Sequence, residues 1–90
     1  MDKVAYILTR NEIPIHIYTS FELLEEASRN WMNQNYDNFI LQQEYFRWLE
    51  DRTWYPNTDD GEEQAWNDFV TERIMNGKWL NYAWIEAELD

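Results

Sequence analysis

The amino-acid sequence predicts an α+β domain of order ββαααβ, with helices packed on one face of a three-stranded sheet. Three observations predict it. Apolar and polar residues alternate with period two near both ends of the chain; the stretch between them carries apolar residues three and four positions apart; and polar or glycine breaks separate the segments. Ninety residues hold one domain, spanning 1–90, with one core.

The first element runs from Lys3 to Arg10, with Val4, Tyr6 and Leu8 on one side and Ala5, Ile7 and Thr9 on the other. Asn11-Glu12 supplies a turn, after which Ile13, Ile15 and Ile17 repeat opposite Pro14, His16 and Tyr18. Pro14 has no N–H to give a ladder, so this second strand starts there or lies at an edge. Ser20 reads as the N-cap of a helix over Phe21 to Gln34, with Leu23, Leu24, Ala27 and Trp31 at helical spacing and Glu22, Glu25 and Glu26 early, where the helix dipole favours acids. Asp37 is placed to cap a second helix with Phe39, Ile40, Gln43, Phe46 and Leu49 on one stripe, although the segment to Tyr55 is apolar on more than one side. After the polar break from Pro56 to Gly61, Asp60 is placed to cap a third helix. It runs over Glu62 to Met75, with Ala65, Trp66, Phe69, Val70, Arg73 and Ile74 on its buried face, and Gly77 stops it. The last segment alternates Ala83, Ile85, Ala87 and Leu89 against Tyr82, Trp84, Glu86 and Glu88; it is a terminal strand, expected beside the first.

Composition narrows the chemistry. With no cysteine, disulfides, zinc–thiolate sites and thiol nucleophiles are excluded. His16 is the only histidine and falls on a strand, where a surface or partner-contact role is the ordinary one. The acidic run from Asn57 to Glu63 fails as an EF-hand: counting back from Gly61 puts Pro56, Thr58 and Asp60 where the first three oxygen ligands belong. A capped helix start explains the same residues. Two glycines sixteen residues apart make no phosphate loop. No catalytic set, cofactor or metal site is assigned, and the chain is expected not to be an enzyme. No apolar run approaches the length of a membrane span, and Met1-Asp2-Lys3-Val4 has no signal-peptide pattern, so a cytoplasmic protein is expected.

Charge points toward a partner. The net charge is −11, and it is uneven: residues 1–40 hold six acids and three bases, residues 41–90 twelve acids and four bases. Such a field repels nucleic acid, whose binding needs Lys and Arg to displace counterions, and suits a protein with a basic surface. The expected acidic contact surface comprises Glu50, Asp51, Asp59, Asp60, Glu63, Asp68 and Glu72, a negative patch able to imitate the spacing of phosphates; its ordinary alternative is a solvated helix face. Aromatics make up 18% of the chain, more than three or four short elements obviously need inside. With all helices on one side of the sheet, the other is expected to present His16, Tyr18, Tyr82, Trp84, Glu86 and Glu88, with Ile7 joining them. Such an aromatic patch suits a partner protein, a second copy or a flat ligand.

In outline, Val4–Arg10, Ile13–Thr19, the helix capped by Ser20 and the terminal Ile85-Glu86-Ala87-Glu88-Leu89-Asp90 strand resemble small accessory proteins of phage genomes. With its acidic charge the chain is similar to the anti-CRISPR and anti-restriction members of that class. That resemblance implies an inhibitor or modulator, acting in the host cytoplasm, that occupies a basic nucleic-acid-binding surface of a host protein by nucleic-acid mimicry. It carries over no active-site residue. Two other functions compete: a sponge for a nucleotide or metabolite stacked on Trp84 and Tyr82, and a structural subunit whose open sheet face makes a homodimer.

Overall fold

The computed structural model describes residues 3–89. Its elements are β1 (Lys3–Arg10), β2 (Ile13–Tyr18), α1 (Phe21–Gln34), α2 (Phe39–Leu49), α3 (Asp59–Asn76), β3 (Lys78–Trp79) and β4 (Tyr82–Leu89). Met1, Asp2 and Asp90, and the side-chain direction expected for Leu89, lie outside what is described.

The chain is α+β as expected, but its antiparallel sheet has four strands rather than three among the described residues, in the order β2-β1-β4-β3. The terminal strand pairs with the first from Lys3↔Leu89 to Arg10↔Tyr82, and β2 is an edge, both as the sequence implies. The fourth strand is two residues long, too short for periodicity to reveal. It turns into β4 through Leu80, held at φ 52°, and Asn81. At the other hairpin Asn11 and Glu12 adopt φ 52° and 69°, the left-handed pair that a tight two-residue turn needs. The two turns are tied together: the Asn11 N–H donates to the Asn81 carbonyl at 2.9 Å, and the Asn81 amide donates to Asn11 Oδ1 at 3.1 Å.

Local capping follows the sequence with small shifts. Ser20 accepts from the Leu23 N–H, and Gly77 ends α3 at φ 80°. The caps expected at Asp37 and Asp60 belong instead to Asn38, which accepts from the Leu41 N–H at 3.0 Å, and Thr58, which accepts from the Gly61 N–H at 3.1 Å. An early cap at Thr58 places Asp59 and Asp60 inside the first turn of α3, where acids offset the helix dipole.

The core lies between the helices and one face of the sheet and is aromatic. Phe69 is fully buried at its centre and meets the rings of Tyr45, Trp48 and Trp66 at 5.3–5.7 Å. Leu24 and Met32 of α1, Leu41 of α2, and Val70 and Ile74 of α3 fill around it. Most of the aromatics are thus buried or packed against this core, while Ile13, Ile15, Ile17, Ile40 and Ile85 are left exposed.

Helix α2 corrects the expected stripe. Leu41, Tyr45 and Trp48 face the core, at the i, i+4, i+7 spacing, while Phe39 and Phe46 are 71% and 58% exposed and Ile40 also faces solvent. Both sides of this helix are apolar, so periodicity is degenerate and packing against α3 decides the phase. After α2 the chain runs back along α3: Arg52 meets Glu72, Tyr55 meets Asp68, and Pro56 meets Gly61.

Gly61 is required at that last contact, since a Cβ there would fall on the Pro56 carbonyl oxygen. Alanine normally favours a helix over glycine by about 1 kcal/mol, yet Gly61→Ala is expected to destabilise by about 1–3 kcal/mol as the crowded backbone gives way. Thermal unfolding checks the sign; a raised Tm would mean that the 56–61 loop is free to move off the helix.

Candidate functional site

The expected acidic surface and the expected aromatic surface are both rearranged by the fold. The acids come apart into three groups. Asp59 and Glu63 lie at the start of α3 beside Glu62, with Asp60 next to them and exposed. Asp68 and Glu72, one and two turns on, hold the returning segment: Asp68 accepts from the Tyr55 hydroxyl at 2.7 Å, and Glu72 accepts from the buried Trp48 indole at 2.6 Å and pairs with Arg52 at 3.5 Å. Arg52 itself lies over the Trp48 ring at 4.3 Å. Glu50 and Asp51 sit exposed beyond the C-terminal end of α2, on the turn that leads to Arg52. Acids at a helix C-terminus oppose its dipole, so their position does nothing for that helix.

The aromatic surface is overturned. Residues paired across antiparallel strands share a face, and the register pairs Leu8 with both His16 and Trp84, and Tyr6 with both Tyr18 and Glu86. Leu8 is buried in the core, so this whole set looks toward the helices, not away from them. Trp84 packs on Tyr6 and Phe21 and donates its indole N–H to the Ile74 carbonyl at 2.7 Å. Tyr82 sits between Trp31 and Trp79. His16 and Tyr18 meet with ring centroids 4.3 Å apart and planes tilted by 39°, beside Leu23, Glu26 and Asn30 of α1. Glu86 and Glu88 continue the same side of β4, where they are exposed. One side of the sheet is bare of helices as expected, but it carries Ile17, Ile7 and Ile85 instead of rings.

The feature that joins charge to shape is a cleft of about 230 Å³ at the start of α3. It is lined by Tyr36, Tyr45 and Trp66 and by the exposed acids Asp59, Glu62 and Glu63. Each part is positioned from below. Asn33 of α1 accepts from the Trp66 indole at 2.8 Å and fixes that ring, and Tyr36, in the α1–α2 connection, meets it edge-on at 5.1 Å. Thr58 starts the helix early enough to bring Asp59, Glu62 and Glu63, three of the four acids on its first two turns, to the cleft. The Tyr45 hydroxyl lies 3.5 Å from the Glu62 carbonyl. Burial first, and then the Glu62 charge, push the Tyr45 phenol above its usual value, so it stays a neutral donor. No basic residue lines the cleft.

Sequence reasoning named Asp59 and Glu63 but missed Glu62, Tyr36, Tyr45 and Trp66 as lining residues. Trp66 was assigned to the buried face, which is correct for most of the ring. Its edge at a cleft depends on where the α1–α2 connection lies, and nothing local reports that. A larger cleft, of about 510 Å³, opens elsewhere, between Trp31, Tyr82, Ile40, Glu44 and Arg10.

Among the described residues no group of three or more His, Asp or Glu is placed to hold a metal ion, and no helix is long and apolar enough to cross a membrane. Comparison with known proteins finds no family model, no curated protein and no solved structure that matches this chain.

Proposed function

We propose that this chain is a non-catalytic acidic binding protein that inhibits or modulates another protein by occupying a basic surface of it, with a lysine or arginine side chain of the partner seated in the cleft at the start of α3. The observation that carries this reading is the lining itself: three aromatic residues and three acidic ones with no basic residue among them. The acidic side chains favour a cationic group, and the rings beside them exclude water that would otherwise screen the charge. The cleft is smaller than the roughly 300–1,000 Å³ usual for small-molecule sites, and suits one side chain better than a metabolite. The surrounding charge, −11 overall, would speed encounter with a basic surface of the kind that otherwise holds phosphates. Inhibition by nucleic-acid mimicry, as in the acidic phage proteins that the chain resembles in outline, is the activity this reading implies.

The test is a titration with an octa-arginine peptide followed by tryptophan fluorescence, since Trp66 lines the cleft. Binding at 50 mM NaCl is expected to be lost at 500 mM. Replacing Asp59, Glu62 and Glu63 with Asn, Gln and Gln is expected to weaken it at least tenfold. A control with Glu22, Glu26 and Glu86 changed to Gln removes the same charge elsewhere. Equal weakening by the control would reduce the effect to bulk charge, and no binding at either salt would sink the reading. Asp68 and Glu72 are unsuitable for this test, because reversing them breaks the contacts to Tyr55 and Trp48.

The small-ligand reading keeps one specific observation, the larger cleft where Tyr82 stands beside Trp31. Fluorescence quenching by a nucleotide, absent with octa-arginine, would move the function there.

A further inference from the structure

We infer that two copies of this chain associate face to face through the helix-free side of the sheet, about a two-fold axis near Ile7. The register places three isoleucines in one row across three strands, Ile17 opposite Ile7 and Ile7 opposite Ile85. Ala5 and Ala87 form the next row on the same side. Ile17 and Ile85 are 62% and 56% exposed, and Ile7 is half-buried between them. Along β4 the usual arrangement is inverted: Glu86 and Glu88 lie on the helix side, while Ile85 and Ala87 lie on the outside. A strand that turned this side permanently to water would gain nothing from that pattern.

Charge selects the occupant. A basic partner is drawn to the acids, none of which the strand register puts on this face among the side chains of residues 4–88; Lys78, at the β3 rim, is the one charge it does put there. A second copy, itself carrying −11, is repelled from every acidic surface and can approach only where acids are missing. The isoleucine row is also self-complementary, as an isologous contact requires. Size sets the strength. Three strands of six to eight residues cover roughly 25 × 15 Å per copy, about 750 Å² for the pair, below the roughly 1,000 Å² of a stable specific interface, so the dimer is weak and dissociates on dilution. Edge-to-edge association through β2 is the competing geometry, and the strand opposes it. Pro14 lacks the N–H, and the register shift opposite Leu8/Thr9 breaks the ladder near its middle.

Sedimentation equilibrium of the whole chain tests this from 10 μM to 1 mM, at 50 and 500 mM NaCl. The expected result is a monomer at the low end and a dimer at the high end, with the dimer strengthened by salt because screening relieves repulsion. That salt dependence is opposite in sign to binding at the acidic cleft, so failure of either proposal is separable from the other. Ile85→Lys and, independently, Ile17→Lys are expected to abolish the dimer at 1 mM with far-UV and near-UV circular dichroism unchanged. Should one of them disturb the fold, the milder Ile17→Thr is expected to weaken the dimer at least fivefold. Phe46→Ser, on the exposed side of α2, is expected to leave it intact. A monomer at 1 mM in 500 mM NaCl would overturn the proposal, as would a dimer indifferent to all the isoleucine substitutions or one lost with Phe46→Ser.

Discussion

Phe69→Ala is expected to remove about 3–5 kcal/mol from the stability of the fold. Phe69 has no exposed surface and is the ring on which Tyr45, Trp48 and Trp66 converge, so it joins α2 to α3. Removing a buried phenyl group costs about 3–5 kcal/mol, part of it lost transfer energy and part a cavity that rigid neighbouring rings cannot collapse to fill. A domain of this size has in total roughly 5–13 kcal/mol. The substitution therefore removes a large share of the margin, and a small two-layer fold has no second core to fall back on. Urea unfolding followed by near-UV circular dichroism measures it. A midpoint within about 0.5 M of the parent would mean that the aromatic cluster repacks, contrary to the tight ring geometry.

Glu72→Lys is the second large effect, and it separates a structural acid from a solvated one. The Trp48 indole donates to Glu72 at 2.6 Å, and Trp48 is buried. A lysine leaves that donor without an acceptor, which costs about 1–3 kcal/mol, and sets a second cation beside Arg52. The ion pair alone is partly exposed and contributes little. A loss on the order of 2 kcal/mol is expected in urea unfolding. Glu72→Gln, which keeps an acceptor oxygen, is expected to recover most of it. Equal stability of all three chains would return Glu72 to the free acidic surface.

The same residue shows where sequence reading stops. In sequence, Asp68 and Glu72 continue the acidic row from Asp59 and Glu63, and charge alone makes them one patch. The segment after α2 doubles back along α3 and turns two of these acids into acceptors for Tyr55 and Trp48. Such a reversal depends on partners 13 and 24 residues away, which no local periodicity contains. The cleft was half legible for a similar reason: its acids belong to one helix, its rings to three separate segments.

The sheet gives the clearest case. One face lacks helices as expected, and the sequence separates the first and last strands into their two sides correctly; in β2 the register shift opposite Leu8/Thr9 pairs Ile13 with Arg10 and Pro14 with Thr9, which takes Ile13 off the side of Ile17. Of the residues expected on the open face, Ile7 is there, whereas His16, Tyr18, Tyr82, Trp84, Glu86 and Glu88 lie on the helix side. Tyr82 and Trp84 have large apolar bodies and polar tips, so they suit either an interface or a core, and Ile7, Ile17 and Ile85 suit either as well. The choice was made by the space over the sheet: α1 and α3 leave gaps that Trp84 and Tyr82 fill, with the Trp84 indole satisfied by the carbonyl of Ile74.

By itself, then, the sequence determined the α+β class, the caps at Ser20 and Gly77, the tight Asn11-Glu12 turn, the neighbours of the first strand and the acidic charge. All of these rest on local spacing, on backbone conformation or on simple summation. The tertiary structure alone decided the phase of α2, the brief fourth strand, which acids are held by donors and which stand free, and which face of the sheet is left apolar. Those depend on packing between distant segments, where a side chain acceptable in two places goes to the one whose neighbours fit it.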